Sequence, residues 1–406
     1  MYINNLGTMM QRSTIDDRST NWIFKALKEG LINFDGAHDI HTPRALVEEI
    51  LSKIKLHGDI LVMFNIEFVV SLVRTYKIDP DTITFYSDHD NKSEMSRRLG
   101  VKYITTLGTD MKFDVVVGNP PYQDREGMEN TTTSADLASI FVKKSFQLSN
   151  NIVALIIPSD WTGPNSSTLK RFLFKEHTLK KLSFYGNKWF DVKKDTCSFI
   201  YDNEYQGPTD IVDVNNTILS LDLTKVDVLS LHNQETAFLQ KFNTTSNLSN
   251  RWLHGSMNLT EAYKSIGTAD EFVCAVGRKG DPITTINITQ SKKVVGKGIH
   301  KLVVPMVGDM GKLGNVKHAQ QHQVGGHSVV FLTADSAAEL DSLKSYLESK
   351  VIRLLIKSVK KSTPNSKGVF SQIPDISLTQ IWSDSDLYAH FHLTPDEIAY
   401  IESNVK

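Results

Sequence analysis

Residues 112–122 read Lys-Phe-Asp-Val-Val-Val-Gly-Asn-Pro-Pro-Tyr. Phe113 with Val115, Val116 and Val117 makes a short apolar run, the pattern of a strand buried on both faces. The run stops at Gly118 and a double proline, which cannot continue a strand ladder. Working back toward the N-terminus, strand-like runs at 59–64, 82–87 and 101–105 alternate with helical patterns at 66–76 and 92–99. This alternation predicts a doubly wound α/β sheet with 113–118 as its fourth strand. Ligands on such sheets bind beyond the carboxyl ends of the strands. The polar residues there are therefore site candidates: Asn65 and Glu67 after strand one, Asp88, His89 and Asp90 after strand two, and Asn119 after strand four.

Asn119-Pro120-Pro121-Tyr122 combines a carboxamide oxygen, a main-chain carbonyl whose backbone is restricted by proline, and an aromatic face. Such a set suits an exocyclic amine conjugated to a ring. The lone pair of that amine is delocalised, and two acceptors aimed at its two hydrogens favour the pyramidal, positively charging nitrogen of a transition state. Asn119 Oδ1 and the Pro120 carbonyl supply the acceptors, and Tyr122 a surface on which a base stacks. A base inside a duplex cannot reach such a pocket without being flipped out. The competing reading is a plain turn at the end of a strand.

Ahead of the first strand, His41-Thr42-Pro43 opens a helix with Thr42 as expected N-cap, Pro43 at its first position, and Leu46, Val47, Ile50, Leu51 and Ile54 on one face. A shorter helix is expected around Trp22 to Leu27, between Ser19-Thr20 and Gly30. The chain has 406 residues, enough for two cores. Its 45 Lys plus Arg against 46 Asp plus Glu mean that any nucleic-acid surface must come from local clustering of cations. Two cysteines, Cys197 and Cys274, make neither a metal-ligand spacing nor a disulfide framework. No metal site, signal segment or membrane span is expected, and the expected location is the cytoplasm.

On Asn119-Pro120-Pro121-Tyr122, and on Ile-Ile-Pro-Ser-Asp-Trp at 156–161, the chain resembles adenine-N6-specific DNA methyltransferases, with the gamma-like motif order of the Eco57I-like methylase family. The resemblance implies a Rossmann-like S-adenosylmethionine methyltransferase domain followed by an α+β target-recognition domain. It implies cofactor contacts at His41, Thr42 and Pro43, at Phe64, Asn65 and Glu67, and at Asp88, His89 and Asp90. It also implies catalysis by Asn119, Pro120, Pro121 and Tyr122, with Phe190 on the other face of the flipped base. One departure is plain: the family's glycine-rich turn after strand one is Phe64-Asn65-Ile66-Glu67-Phe68 here, without glycine. Asp88 or Asp90 suits the ribose hydroxyls, or equally an acidic helix cap.

The expected organisation is a helical lead-in at 1–37, a catalytic domain at 38–205 and a DNA-binding domain at 206–406. A polar loop at 123–134 is expected to order on substrate. Lys193, Lys194, Arg278, Lys279, Lys292, Lys293, Lys360 and Lys361 are the phosphate candidates. Double-stranded DNA is the expected partner of a monomer, with a separate restriction endonuclease as a further one. Two alternatives stay open: methylation of a glutamine side-chain amide in a protein, which suits the same tetrapeptide, and a DNA-binding relative without activity.

Overall fold

The computed structural model describes residues 42–87, 93–122, 134–165, 167–190, 195–242, 246–309 and 311–405. The expected helix at 22–27, His41, Asp88, His89, Asp90, the loop at 123–133, Lys193 and Lys194 lie outside the described residues. The chain divides into two compact units, Met1–Trp161 with Ser167–Val226, and Thr162–Ser166 with Asp227–Lys406.

The first unit is built on a nine-stranded sheet. Its strands are β1 (Ile60–Met63), β2 (Ile83–Tyr86), β3 (Lys102–Ile104), β4 (Phe113–Gly118), β5 (Ser149–Pro158), β6 (Leu179–Gly186), β7 (Thr196–Asp202), β8 (Thr209–Val212) and β9 (Ile218–Leu221). They lie in the order β3-β2-β1-β4-β5-β7-β6-β8-β9. The first five are mutually parallel, while β7 runs antiparallel between β5 and β6. Because the chain moves outward from β1 through β2 to β3 and then returns to β4, the order reverses between β1 and β4, and a crevice opens at their carboxyl ends. This is the doubly wound α/β sheet expected from the alternation.

Burial follows the sequence pattern. All four residues of β1 and the run Val115 to Val117 have no exposed surface, as central parallel strands require. Helices α1 (Arg44–Leu51), α2 (Ile66–Arg74), α3 (Ser93–Leu99) and α4 (Ser134–Leu148) accompany the sheet. Leu46, Val47 and Ile50 of α1 pack in one cluster with Phe68 of α2 and Val115 and Val117 of β4. The boundary expected after residue 205 falls inside this unit, since β8 pairs with β6 and carries the sheet on to β9.

The second unit is α+β. A four-stranded sheet has the order β10-β16-β13-β14, and a three-stranded one β12-β11-β15. These are β10 (Trp252–Leu253), β11 (Ile266–Ala275), β12 (Thr284–Ile288), β13 (His300–Pro305), β14 (Lys317–Ala319), β15 (Gln323–Gly325) and β16 (Val329–Ala334). Helices α5 (Ala337–Glu348), α6 (Lys350–Val359) and α7 (Pro395–Asn404) follow. Val351, Leu354 and Leu355 of α6 meet Leu302, Val304, Val330 and Leu332 in a core of its own. The cap expected for the last helix forms: Glu397 N–H donates to Thr394 Oγ1 at 3.3 Å, and Thr394 N–H to Glu397 Oε2 at 2.8 Å.

Candidate active site and cationic cleft

The register of the central strands decides the site. Met63 of β1 is opposite Gly118 of β4, so the turns leaving these strands, Phe64-Asn65 and Asn119-Pro120, emerge side by side. Gly118 is required by this approach, because a Cβ there would lie 2.3 Å from the Met63 carbonyl oxygen. At the end of β1 the chain turns sharply. Phe64 takes φ +70°, the left-handed region, without being glycine, and its ring is held by Tyr86 and Phe141 at centroid distances of 5.0 and 4.8 Å. The turn is made here by a bulky residue fixed by its packing rather than by glycine.

Asn119 is 3% exposed. Its backbone N–H donates to Asn65 Oδ1 at 2.8 Å, its Nδ2 to Thr42 Oγ1 at 3.2 Å, and its Oδ1 accepts the Tyr122 hydroxyl at 2.6 Å. Thr42 is fully buried, and its own N–H donates to Glu67 Oε1 at 3.1 Å. Burial pushes the Tyr122 phenol well above its ordinary range, so it remains a proton donor throughout the usable pH range. Pro120 is buried and Pro121 half-buried. The structure therefore brings Thr42, Asn65, Glu67, Asn119 and Tyr122 into one buried network.

Thr42 is not the N-cap expected from the sequence. The first bonds of α1 run from Leu46 and Val47 N–H to the Pro43 carbonyl, at 3.0 and 3.1 Å, so Pro43 takes that place and the Thr42 hydroxyl is turned to Asn119. Phe190, expected to offer a face to a base, is 6% exposed and packs in the cluster of Val117, Ile156 and Tyr185. Its ring, beyond the end of β6, is about as buried as that of Tyr122, which is 8% exposed.

Among the phosphate candidates, Lys360 is corrected. It is 3% exposed, its ammonium donates to the carbonyls of Asp309 (3.0 Å) and Lys312 (2.5 Å), and burial lowers its pKa to about 8. It ties the glycine-bearing loop at 308–314 to α6 and is turned away from phosphates. Lys293 pairs with Glu261 at 2.6 Å. Arg278, Lys279 and Lys292 are exposed, and Lys361 half-buried.

The sequence reading missed Lys312, Lys317 and Lys344. With Lys279, Arg353 and Lys357 they line a cleft of about 1090 Å³ in the second unit, where Glu348 is the one acidic lining residue among the described residues. Arg353 and Lys357 lie one turn apart on α6. Among the described residues no group of His, Cys, Asp and Glu is placed to hold a metal ion, and no helix is long and apolar enough to cross a membrane.

Fold and site together define a doubly wound α/β domain with an Asn-Pro-Pro-Tyr turn at its topological switch point. Residues 62–190 match the family described as Eco57I restriction-modification methylase. A curated protein of Mycoplasma pneumoniae, named "Uncharacterized adenine-specific methylase", is 34% identical over 116 residues, a match spanning 26% of this chain and 28% of that relative. Among solved structures, the type IIG restriction endonuclease BpuSI is similar over 86% of this chain and 60% of its own, at 11% identity and a TM-score of 0.40. The M protein of the type I restriction enzyme EcoKI is similar over 46% and 47%, at 15% identity and a TM-score of 0.32. These superposition scores are low, and the fold assignment rests on strand order and register.

Proposed function

We propose that the protein transfers a methyl group from S-adenosylmethionine to N6 of an adenine flipped out of double-stranded DNA. The observation that carries this reading is the carboxamide of Asn119, buried and anchored at the switch point with its oxygen on the side of Tyr122. Asn119 Oδ1 has two lone pairs, of which Tyr122 uses one, and the other accepts a hydrogen of the adenine amine. The Pro120 carbonyl accepts the second hydrogen. The nitrogen lone pair is thereby freed for the new N–C bond, and the amine proton leaves to solvent once the nitrogen is positively charged. No general base is required before the transfer.

The residues at the carboxyl end of β1 suit the cofactor. A buried carboxylate, Glu67, and the amide of Asn65 stand at the start of α2, next in the chain to Phe64, whose ring packs edge-on with Tyr86 and Phe141. This set fits a cationic, hydroxylated ligand with an aromatic base. S-adenosylmethionine, when bound, supplies an electron-poor methyl carbon with a good leaving group. Asp88 or Asp90 is the candidate for its ribose.

Duplex DNA as substrate is supported by the cationic cleft, since a chain with nearly balanced charge has gathered Lys279, Lys312, Lys344, Arg353 and Lys357 around one concavity, beside a Lys317 whose ammonium is held by the carbonyls of Arg278 and Asp281. Methylation of a protein glutamine, the alternative, needs no such surface. The second unit is accordingly assigned to target recognition and the location to the cytoplasm.

The decisive experiment is sequencing for methylated adenine in DNA incubated with the protein and S-adenosylmethionine, alongside Asn119→Ala. Wild type is expected to modify a defined site, and the variant to fall by about 100-fold or more in rate. Equal modification by both would refute the role given to Asn119.

A further inference from the structure

We infer that Thr42 is a positioning residue for the acceptor asparagine, holding the Asn119 carboxamide in its productive orientation through its hydroxyl. This rests on the acceptor role given to Asn119. A carboxamide rotated by half a turn would present Nδ2 to the substrate amine, and two donors facing each other repel. The Tyr122 hydroxyl opposes that rotation, and the Thr42 hydroxyl holds the other end of the carboxamide. The Tyr122 phenol, a better donor than acceptor, lies on Oδ1 at 2.6 Å, and Thr42 Oγ1 accepts from Nδ2 at 3.2 Å.

The Thr42 end is itself rigid. Its N–H is spent on Glu67 at 3.1 Å, Pro43 follows it in the chain, and it has no exposed surface. The Asn119 end is fixed by Asn65 at 2.8 Å. Asn65 and Glu67 belong to the same turn after β1, so one turn sets both ends of the Thr42–Asn119 contact. The polar residues standing where the family has glycines thus acquire a purpose, which is to brace the acceptor loop.

The test uses Thr42→Val, which keeps shape and removes the hydroxyl, and Thr42→Ser, which restores it. Three quantities are read: steady-state kcat on duplex DNA, the S-adenosylmethionine dissociation constant by calorimetry, and hydrogen exchange of the Asn119 side-chain amide by NMR. The amide signals are assigned by their loss in Asn119→Asp. The expected result for Thr42→Val is a fall in kcat of about 10- to 100-fold, with an unchanged dissociation constant and faster amide exchange. Thr42→Ser is expected to lie within about threefold of wild type.

A weakened dissociation constant with kcat intact at saturating cofactor would overturn the inference in favour of a cofactor contact. A serine variant as poor as the valine variant would overturn it too, because the methyl group rather than the hydroxyl would then be what matters. If wild type methylates nothing, the proposed function fails separately. The amide exchange then still decides whether Thr42 holds Asn119.

Discussion

The Tyr122 hydroxyl donates to Asn119 Oδ1 across 2.6 Å, between two side chains that are 8% and 3% exposed. The same oxygen is the proposed acceptor for the substrate amine, so the tyrosine plays two separable parts: its ring is a stacking surface and its hydroxyl shares an acceptor. Tyr122→Phe keeps the ring but removes the hydroxyl that orients Oδ1, and its methylation rate is expected to fall about 10-fold, in step with Thr42→Val. Tyr122→Ala removes the ring as well and is expected to lose a further factor of about 10 to 100 in kcat/KM for DNA, the range of one base-stacking contact. Single-turnover rates on one duplex check both, and an alanine variant as active as the phenylalanine variant would remove Tyr122 from base stacking.

Phe64 is 7% exposed and sits at φ +70°. Truncating its ring empties a packed site between Tyr86 and Phe141, at about 3–5 kcal/mol. The backbone conformation reverses the usual order of the small replacements. Phe64→Gly is expected to be more stable than Phe64→Ala by about 1 kcal/mol, because alanine keeps the left-handed strain that glycine relieves. Urea unfolding of the two variants measures the difference, and an alanine variant as stable as the glycine one would contradict a left-handed Phe64.

The cationic cleft of the second unit is tested by salt. Lys344→Gln combined with Arg353→Gln removes two lining charges. If both meet DNA phosphates, the slope of log affinity against log salt is expected to become shallower by about 1.8, near 0.9 per phosphate contact. Fluorescence anisotropy with a labelled duplex at several salt concentrations reads the slope. The same substitution made at Lys360, already committed to the carbonyls of Asp309 and Lys312, is expected to lower stability and leave the slope unchanged.

Lys301 is fully buried, with its ammonium on the carbonyls of Gln320 (2.7 Å), Gln321 (3.2 Å) and Ile299 (3.3 Å) and 5.3 Å from the Phe331 ring centroid. Burial lowers its pKa from 10.5 to about 8. Below pH 8 it is charged in both folded and unfolded chains, and the folded state carries the desolvation cost. Between pH 8 and 10.5 the unfolded chain keeps a proton that the folded one has released, so this group's contribution to stability rises with pH. The urea midpoint of wild type is therefore expected to gain more between pH 7.5 and 9.5 than that of Lys301→Met, and equal gains would place the Lys301 pKa near its ordinary value.

The strand at 113–118, the alternation before it and the tetrapeptide after it were readable because each is a local signal. Period and apolar run length fix the elements, and proline and glycine fix where they stop. The capping box at Thr394 and Glu397 was readable for the same reason, since its partners are three residues apart. Reading failed where the partner is distant. Thr42 has the local marks of an N-cap, yet its hydroxyl is claimed by Asn119, 77 residues on. Lys360 belongs by sequence to a run of surface cations, yet it closes a loop from within.

The sequence by itself determined the class of fold and supplied the residues of the proposed acceptor chemistry, because alternation, strand length and Asn119-Pro120-Pro121-Tyr122 act over a few residues. Only the tertiary structure decided how that chemistry is held. Register between β1 and β4 sets Met63 opposite Gly118, and that single alignment brings Asn65 to the Asn119 backbone. Thr42 and Glu67 complete the brace across separations of 77 and 25 residues. Hydrogen-bond partners so far apart are selected by the packing of whole strands and helices, which no spacing rule along the chain encodes.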